Sequence, residues 1–426
     1  MPAAPVAPDP FADLLEPFSH RGVDLTLGRL EAALAELGHP EASFEAVQVA
    51  GTNGKGSIAT LVHEALGAAG LRCGLYTSPH LMSWCERIRL GPDPIAPAEL
   101  RRHLSGIQGL GQRHRLTPFE LVTAAAFLAF AEAGVELAVL EVGLGGRLDA
   151  TTVHPQRPVV GFASIGLDHA EVLGAEPALI AAEKAGVLRP GCLAVSGPQS
   201  PAVAAVLRRA AEQRGVTLRW VEPADVLEAE NGELWQSQGL RYRCGLPGAV
   251  QRTNSAVALG MLRALAERGW AIPDCAIAEG FAAARWPGRL QELPWGGRTL
   301  LLDGAHNLPA AQALRAELDR RAARGQAPAA GQRRWILGFL ANKDGPGMLE
   351  TLLAAGDRAW IVPVPGHGCW SAESLAEACP GLAPQLTAAA DAAAVLDSLG
   401  PGPSDEPVIL AGSLYLIGHL LSSVPH

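Results

Sequence analysis

The segment Val49-Ala-Gly-Thr-Asn-Gly-Lys-Gly-Ser57 places three glycines, a lysine and a hydroxyl within seven residues. A short apolar run (Ala46, Val47, Val49) precedes it, and a helical pattern (Ile58, Leu61, Val62, Ala65, Leu66) follows. Strand, glycine turn and helix form the context in which backbone N–H groups and a helix N-terminus cradle phosphates. Lys55 supplies a cation for the outer phosphates, and the Ser57 hydroxyl stands where a Mg²⁺ ligand is expected. The usual spacing, G-x-x-x-x-G-K-[ST], is not met. Val49 occupies the place of the first glycine, and Gly56 separates the lysine from the hydroxyl.

A second chemical segment, Leu137-Ala-Val-Leu-Glu141-Val-Gly-Leu-Gly-Gly-Arg-Leu-Asp149, is an apolar strand that ends in a carboxylate and opens into a glycine loop. Ligands of parallel sheets bind beyond the carboxyl ends of the strands. A carboxylate there can hold Mg²⁺, which offsets the cost of burying it. The alternative is a capping or paired glutamate; next to a phosphate loop the metal role is the stronger reading. Ser164-Ile-Gly-Leu-Asp168-His169 follows another apolar run, and His169 is either a metal-site residue or a packed, hydrogen-bonded one. Lys184 ends a helical pattern and reads equally as a solvated or salt-bridged lysine. Leu302-Asp303-Gly-Ala-His306-Asn307 repeats the strand-end arrangement, with Asn307 also suited to cap the next helix.

These residues need a scaffold of parallel strands. Apolar runs at Ala46–Val49, Gly74–Tyr76, Leu137–Val142, Val159–Ile165 and Leu193–Val195 read as buried strands. Helices are expected at Ile58–Ala69, Phe119–Ala133 and Pro177–Val187. Residues 216–245 alternate polar and apolar around Asn231-Gly232, the pattern of a small antiparallel insert. Helices follow at Ser255–Arg268 and Asp274–Ala284, and Trp286-Pro-Gly-Arg-Leu290 is a Pro/Gly break suited to a linker. Beyond it the alternation restarts. Strands are expected at Thr299–Leu302, Trp335–Leu340, Ala359–Val362 and Val408–Ala411, and helices over 308–323, 346–355, 371–379, 388–399 and 413–422. Gly325–Gly331 and Gly400–Pro407 read as exposed loops.

The fold class is therefore α/β. A doubly wound, mostly parallel P-loop-type domain with a small antiparallel insert spans 1–285, and a smaller Rossmann-like α/β domain spans 286–426. A chain of 426 residues with 48% hydrophobic content supports two such cores. The net charge of −9 argues against nucleic acid as a partner. Seven cysteines without a C-x-x-C pair suggest reduced thiols in the cytoplasm. Met1–Pro10 lacks the basic and apolar regions of a signal peptide and reads as a frayed arm. The apolar stretch Leu121–Ala131 is too short to span a bilayer. The expected protein is cytoplasmic, off the membrane and, with no long exposed apolar heptad, monomeric.

Several segments in one order carry a specific resemblance. They are the loop at 49–57, Tyr76-Thr-Ser-Pro-His-Leu81 with Glu86-Arg-Ile-Arg-Leu90, Thr117-Pro-Phe-Glu120, Glu141–Thr151, Asp168-His169, Glu183-Lys-Ala-Gly186, Pro287-Gly-Arg289 and Asp303–Asn307. The set resembles the folylpolyglutamate synthase/dihydrofolate synthase family of the Mur-ligase superfamily, from Asp24 to Gly418. The resemblance implies an ATPase domain and a glutamate-ligase domain with the active site between them. It implies ATP held by Gly51, Thr52, Asn53, Gly54, Lys55, Gly56, Ser57, Asn254, Arg289 and Asp303. It implies two Mg²⁺ sites served by Ser57, Ser78, Glu141, His169 and Lys184, with Lys184 carbamylated by CO₂ so that a cation becomes an oxygen ligand. His306, Ser413 and Tyr415 become the residues for L-glutamate, with His306 a base for its amine. Val23, Asp24, Leu25, Thr117, Pro118, Phe119, Glu120, Leu148, Asp149 and Ala150 match segments that line the dihydropteroate and reduced-folate site, with Phe119 as a stacking group or a core residue.

The expected activity is ATP-dependent addition of L-glutamate to dihydropteroate, to reduced folates or to both, through an acyl phosphate. Thr152, Val250, Pro118 and Asn342 depart from the family pattern, and none of them is a proposed phosphate or metal ligand. A cell-wall amino-acid ligase of the same superfamily would need a further N-terminal domain, whereas about 48 residues precede the loop. A nucleotide-dependent switch would bind ATP without glutamate-dependent phosphate release.

Overall fold

The computed structural model describes residues 9–22, 24–227, 233–400 and 407–423. The frayed arm expected at Met1–Pro10 lies mostly outside these residues, as do Val23 and the Asn231-Gly232 turn.

The first sheet has eight strands: β1 (Glu45–Ala50), β2 (Cys73–Tyr76), β3 (Ile88–Leu90), β4 (Asp93–Pro94), β5 (Leu137–Glu141), β6 (Val159–Phe162), β7 (Leu193–Ser196) and β8 (Thr217–Trp220). Their order is β4-β3-β2-β5-β1-β6-β7-β8. From β2 to β8 the pairings are parallel, and β3 and β4 form an antiparallel edge. β1 lies between β5 and β6 and is buried almost throughout, which fits its run of apolar residues. One face packs on the helix Lys55–Ala68 and on Gln251–Ala266 through Val47, Val49, Ile58, Val62 and Met261. The other face packs on Pro118–Glu132 through Ala46, Leu140, Phe127 and Phe130. That helix starts at a capping box in which Thr117 and Glu120 satisfy each other's backbone N–H groups, with Pro118 at the first helical position.

Strands β9 (Asp225–Leu227), β10 (Leu234–Ser237) and β11 (Leu240–Tyr242) form a separate antiparallel sheet. The insert is thus shorter than its alternation suggested. Thr217–Trp220 belongs to the main sheet, parallel to β7, because an edge strand with one wetted face shows the same period of two.

The last sheet contains β12 (Gln291–Trp295), β13 (Arg298–Asp303), β14 (Arg334–Leu337), β15 (Arg358–Ile361), β16 (Leu386–Ala388) and β17 (Val408–Ala411), in the order β12-β13-β17-β14-β15-β16. All pairings are parallel except the β12–β13 hairpin. Neither edge strand, β12 nor β16, was expected. Pro294 disguises β12, and an edge is where a strand tolerates proline. The helix expected over 388–399 begins only at Ala392, where the Asp391 carboxylate accepts from Ala394 N at 2.7 Å; Leu386–Ala388 is strand. The strand expected over Val159–Ile165 stops at Phe162, where the chain leaves the sheet and bridges Ser164 to Asn53.

Candidate active site

The carboxyl ends of the parallel strands of both sheets converge on one cavity of about 820 Å³. That is the size of a site for a sizeable ligand. The first sheet contributes the segments after β1 (51–56), β2 (Ser78, Pro79), β5 (Glu141–Ala150) and β6 (Asp168, His169). The last sheet contributes those after β13 (His306), β14 (Leu340–Lys343), β15 (His367, Gly368) and β17 (Ser413–Tyr415). Both halves obey the strand-end rule.

After β1 the chain turns through Gly51 (φ +148°) and Gly54 (φ +97°) into the helix Lys55–Ala68. A Cβ on Gly54 would lie 2.5 Å from Asn254 Oδ1, and one on Gly56 2.5 Å from the Trp286 ring. Glycine is therefore required there by backbone angle and by close approach. Lys55 Nζ donates to Thr52 O at 3.0 Å and stands 4.0 Å from Glu141 Oε1. Glu141 is buried at the end of β5 and accepts from Ser78 N at 3.2 Å on Oε2. Burial pushes its pKa up to about 7 against the pull of Lys55. A desolvated carboxylate next to the Ser78 segment is a hard-oxygen donor set, and it fits Mg²⁺. His169 lines the same cavity, and burial lowers its pKa against the pull of Asp168 and Glu171.

Lys184 is buried, and its Nζ donates to Gly51 O at 2.6 Å. Two glycines bring it there. A Cβ on Gly146 would stand 3.0 Å from Lys184 Cα, and one on Gly186 2.7 Å from Arg147 Cα, so the glycine loop lies directly on the lysine's helix. Desolvation, reinforced by Lys55, lowers the Lys184 pKa to about 7.

Asp168 joins the two halves. Its carboxylate pairs with Lys343, accepts from Asn307 Nδ2 at 3.0 Å and stands 3.6 Å from His306 Nε2. Burial would raise its pKa, but the His306 hydrogen bond and the charges of His169 and Lys343 hold it well below the usual carboxylate range. Beside it, the Asn53 and Asn307 amides exchange hydrogen bonds at 2.9 and 3.1 Å. The phosphate loop is thereby tied to the first turn of the helix Leu308–Ala323, which Asn307 also caps.

Gly51–Gly56, Ser78, Glu141, His169, Lys184, Arg289, His306, Ser413 and Tyr415 all line the cavity. So do Asp24, Leu25, Thr117–Glu120 and Leu148–Ala150 at its other end. Four expected residues hold hydrogen-bond partners within the chain. Ser57 lies outside the lining, and its hydroxyl accepts from Gln251 Nε2 at 3.3 Å. Asn254 is behind the loop, bonded to Gln251. Asp303 also lies outside the lining: it accepts from Leu290 N and Ala305 N at 3.0 Å each and so fastens the linker to β13. Asp149 does line the cavity, but its oxygens accept from Gly143 N, Leu144 N, Thr151 N and the Thr151 hydroxyl. It therefore organises the loop, while Asp24 and Glu120 are tied by Arg29. Trp84, Arg87, Lys343 and His367, whose types and spacing carried no expected role, also line the cavity. Arg87 belongs to Glu86-Arg-Ile-Arg-Leu90, and its burial is what sets it apart from a surface arginine.

A family profile described as "Dihydrofolate synthetase, C-terminal domain" matches residues 290–423. The folylpolyglutamate synthase of Lacticaseibacillus casei is 32% identical over 407 residues, covering 91% of this chain and 92% of that protein. The dihydrofolate synthase/folylpolyglutamate synthase of Escherichia coli K12 is 31% identical over 99% of this chain and 97% of its own. Among solved structures, the Mycobacterium tuberculosis folylpolyglutamate synthase complexed with ADP aligns over 98% of this chain and 100% of that one, with a TM-score of 0.86 and 31% identity. The E. coli FolC structure in complex with DHPP and ADP aligns over 98% of both chains, with a TM-score of 0.81 and 28% identity.

Proposed function

Because the chain belongs to the folylpolyglutamate synthase/dihydrofolate synthase family, we propose that it is an ATP-dependent ligase joining L-glutamate to dihydropteroate, to reduced folates or to both. The observation that carries this reading is the single cavity in which the phosphate loop and Glu141 of one sheet face His306, Lys343 and Ser413 of the other. The ADP and DHPP of the related structures support a nucleotide and a pterin-type substrate.

In this reading the acceptor carboxylate attacks the γ-phosphate of ATP, forming an acyl phosphate and ADP. The glutamate amine then attacks the acyl carbon and phosphate leaves. The loop N–H groups and Lys55 hold the phosphates, and the lysine leaves Thr52 O to do so. Bound Mg²⁺ neutralises phosphate charge; Ser78, Glu141, His169 and a carbamylated Lys184 are the residues that would hold it. Thr117–Glu120 and Leu148–Ala150 line the pterin end, where the Phe119 ring lies 5.9 Å from Tyr76. The Asp168–Lys343 pair and the Asn53–Asn307 pair keep the halves closed over the acyl phosphate, excluding water. His306 serves as base for the amine once its Nε2 leaves the Asp168 carboxylate, with Nδ1 donating to Gly304 O at 2.8 Å. Both walls come from one chain, so a monomer suffices.

The direct test is ADP release with and without L-glutamate, using dihydropteroate or tetrahydrofolate as acceptor. Release that needs both acceptor and glutamate supports the ligase; ATP turnover indifferent to glutamate would sink it. Gly54→Ala is expected to raise the KM for ATP by about tenfold or more, since a side chain there is strained and strikes Asn254. An unchanged KM would show that this turn does not shape the nucleotide site.

A further inference from the structure

Gln48 lies in β1, shortly before Gly51, and its side chain is fully buried. It points to the face of the sheet opposite Val47 and Val49, where an apolar residue would be expected. Its Nε2 donates to the hydroxyls of Thr151 and Thr152 at 2.9 Å each. Both hydroxyls commit their own proton elsewhere. Thr151 Oγ1 donates to Asp149 Oδ1 at 2.5 Å, and Thr152 Oγ1 donates to Gly146 O at 2.7 Å. They can therefore only accept from Gln48. This fixes the orientation of the amide and turns Oε1 away, where it has no hydrogen-bond partner among the described residues. A buried carbonyl left unpaired lowers stability, and an unbranched apolar side chain of the same length would avoid that cost. Stability alone does not account for Gln48. What it contributes is its two donated bonds.

Those bonds lead to both ends of the glycine loop. Asp149, which takes the Thr151 proton, accepts on its other oxygen from Gly143 N and Leu144 N at 3.0 Å each. Thr152 holds Gly146 at the far end. The loop meets the phosphate end of the cavity twice. It leaves β5 directly after Glu141, whose neighbour Leu140 pairs in register with Gln48. It then lies on the helix Pro177–Ala185. There Arg147 N donates to Glu183 O at 2.9 Å, and a Cβ on Gly146 would stand 3.0 Å from Lys184 Cα. Lys184 Nζ in turn donates to Gly51 O, just beyond the strand that carries Gln48. The circuit closes on itself: one amide sets the spacing between the phosphate loop and the loop that braces Lys184 and Glu141.

We propose that Gln48 is a positioning residue for the ligation reaction: through Thr151 and Thr152 it sets the glycine loop, and with it Lys184 and Glu141, against the phosphate loop. This rests on the ligase reading above. Gln48 does not line the cavity, so it acts on the rate through placement alone. Phosphoryl transfer is governed by placement, and a misplacement of about 1 Å can cost about 100-fold. Loss of the two bonds loosens the loop without removing any group from the site. The effect is therefore smaller than that limit and falls on kcat, not on KM.

The test uses glutamate-dependent ADP release with dihydropteroate as acceptor, and thermal unfolding measured alongside. Gln48→Met keeps the length and removes the donor. It should lower kcat about tenfold and leave the KM for ATP, L-glutamate and dihydropteroate within about threefold. It should unfold within about 2 °C of the wild type, or above it. Thr152→Val should lower kcat by a similar factor, and Thr152→Ser, which keeps the hydroxyl, should restore it to within about twofold of the wild type. Both residues act along one path, so Gln48→Met combined with Thr152→Val should lose little more than either alone. A residue that serves only the fold would show the reverse, a lower unfolding temperature with kcat unchanged. That result would overturn the proposal, as would a Gln48→Met protein that fails to fold. So would equal rates in Thr152→Val and Thr152→Ser, or losses that multiply in the double variant. Absence of glutamate-dependent ADP release in the wild type would instead overturn the ligase reading.

Discussion

Replacing Lys55 by alanine is expected to lower glutamate-dependent ADP release by about 1000-fold or more at saturating ATP, with little loss of stability. Phosphoryl transfer depends on positioning and on charge neutralisation, so removal of a cation aimed at the outer phosphates carries a large kinetic cost. The folded state loses little. Lys55 makes one hydrogen bond, to Thr52 O, and its charge lies 4.0 Å from Glu141. The helix it begins is held by Ile58, Leu61, Val62 and Leu66, all fully buried. Thermal unfolding should therefore shift by only a few degrees, as expected for a change of about 1 kcal/mol or less. Glu141 loses its nearest cation, so its pKa should rise above the value of about 7 set mainly by burial. Lys55→Arg keeps the charge but not the shape of the ammonium and should recover only part of the rate. Turnover by Lys55→Ala close to that of the wild type would remove the phosphate role from the loop.

The loop was legible in the sequence because its constraints are local. Gly51 and Gly54 have positive φ, and Lys55 begins an apolar helix, so residue type and spacing report the geometry directly. Glu141 was legible for the same reason, as a carboxylate ending a continuous apolar strand. The hydrogen-bond partners that Ser57, Asp303 and Asp149 take within the chain are set by contacts that residue type and spacing do not report. Ser57 has the right residue type, yet Gln251, 194 residues away, takes its hydroxyl. Asp303 follows the strand-end pattern, but its oxygens go to the linker and to Ala305. Asp149 matched a substrate segment and serves its own loop. The edge strands β12 and β16 lacked a strong apolar signal because one side of each is unpaired. Arg87 shows the limit most clearly: a surface arginine and a buried one are the same letter.

Lys184→Ala is expected to reduce ligation by about 100-fold or more, with partial rescue by added short carboxylates. The argument starts from the ammonium's surroundings. Lys184 is buried, has one hydrogen-bond acceptor in Gly51 O, and lies close enough to Lys55 for repulsion to matter. Its pKa falls from the usual 10.5 to about 7, so near neutral pH a large share of the amine carries a lone pair. That lone pair can attack CO₂; an N–C bond forms, a proton leaves, and the cation next to Lys55 becomes an anion. The like-charge conflict turns into an attraction, and two oxygens become available to a hard cation. Acetate or formate can occupy part of the space vacated in Lys184→Ala and supply the same oxygens. The wild type should lose activity in CO₂-depleted buffer and regain it with bicarbonate, and ¹³CO₂ should give a carbamate resonance absent from the variant. The pH dependence has a definite sign. Between about 7 and 10.5 the unfolded chain keeps a proton that the folded, unmodified lysine has released, so this residue makes stability rise with pH across that window. Lys184→Met should flatten that rise under CO₂-free conditions. Full wild-type activity without CO₂, together with no ¹³C signal, would leave Lys184 as a buried amine bonded to the phosphate loop and nothing more.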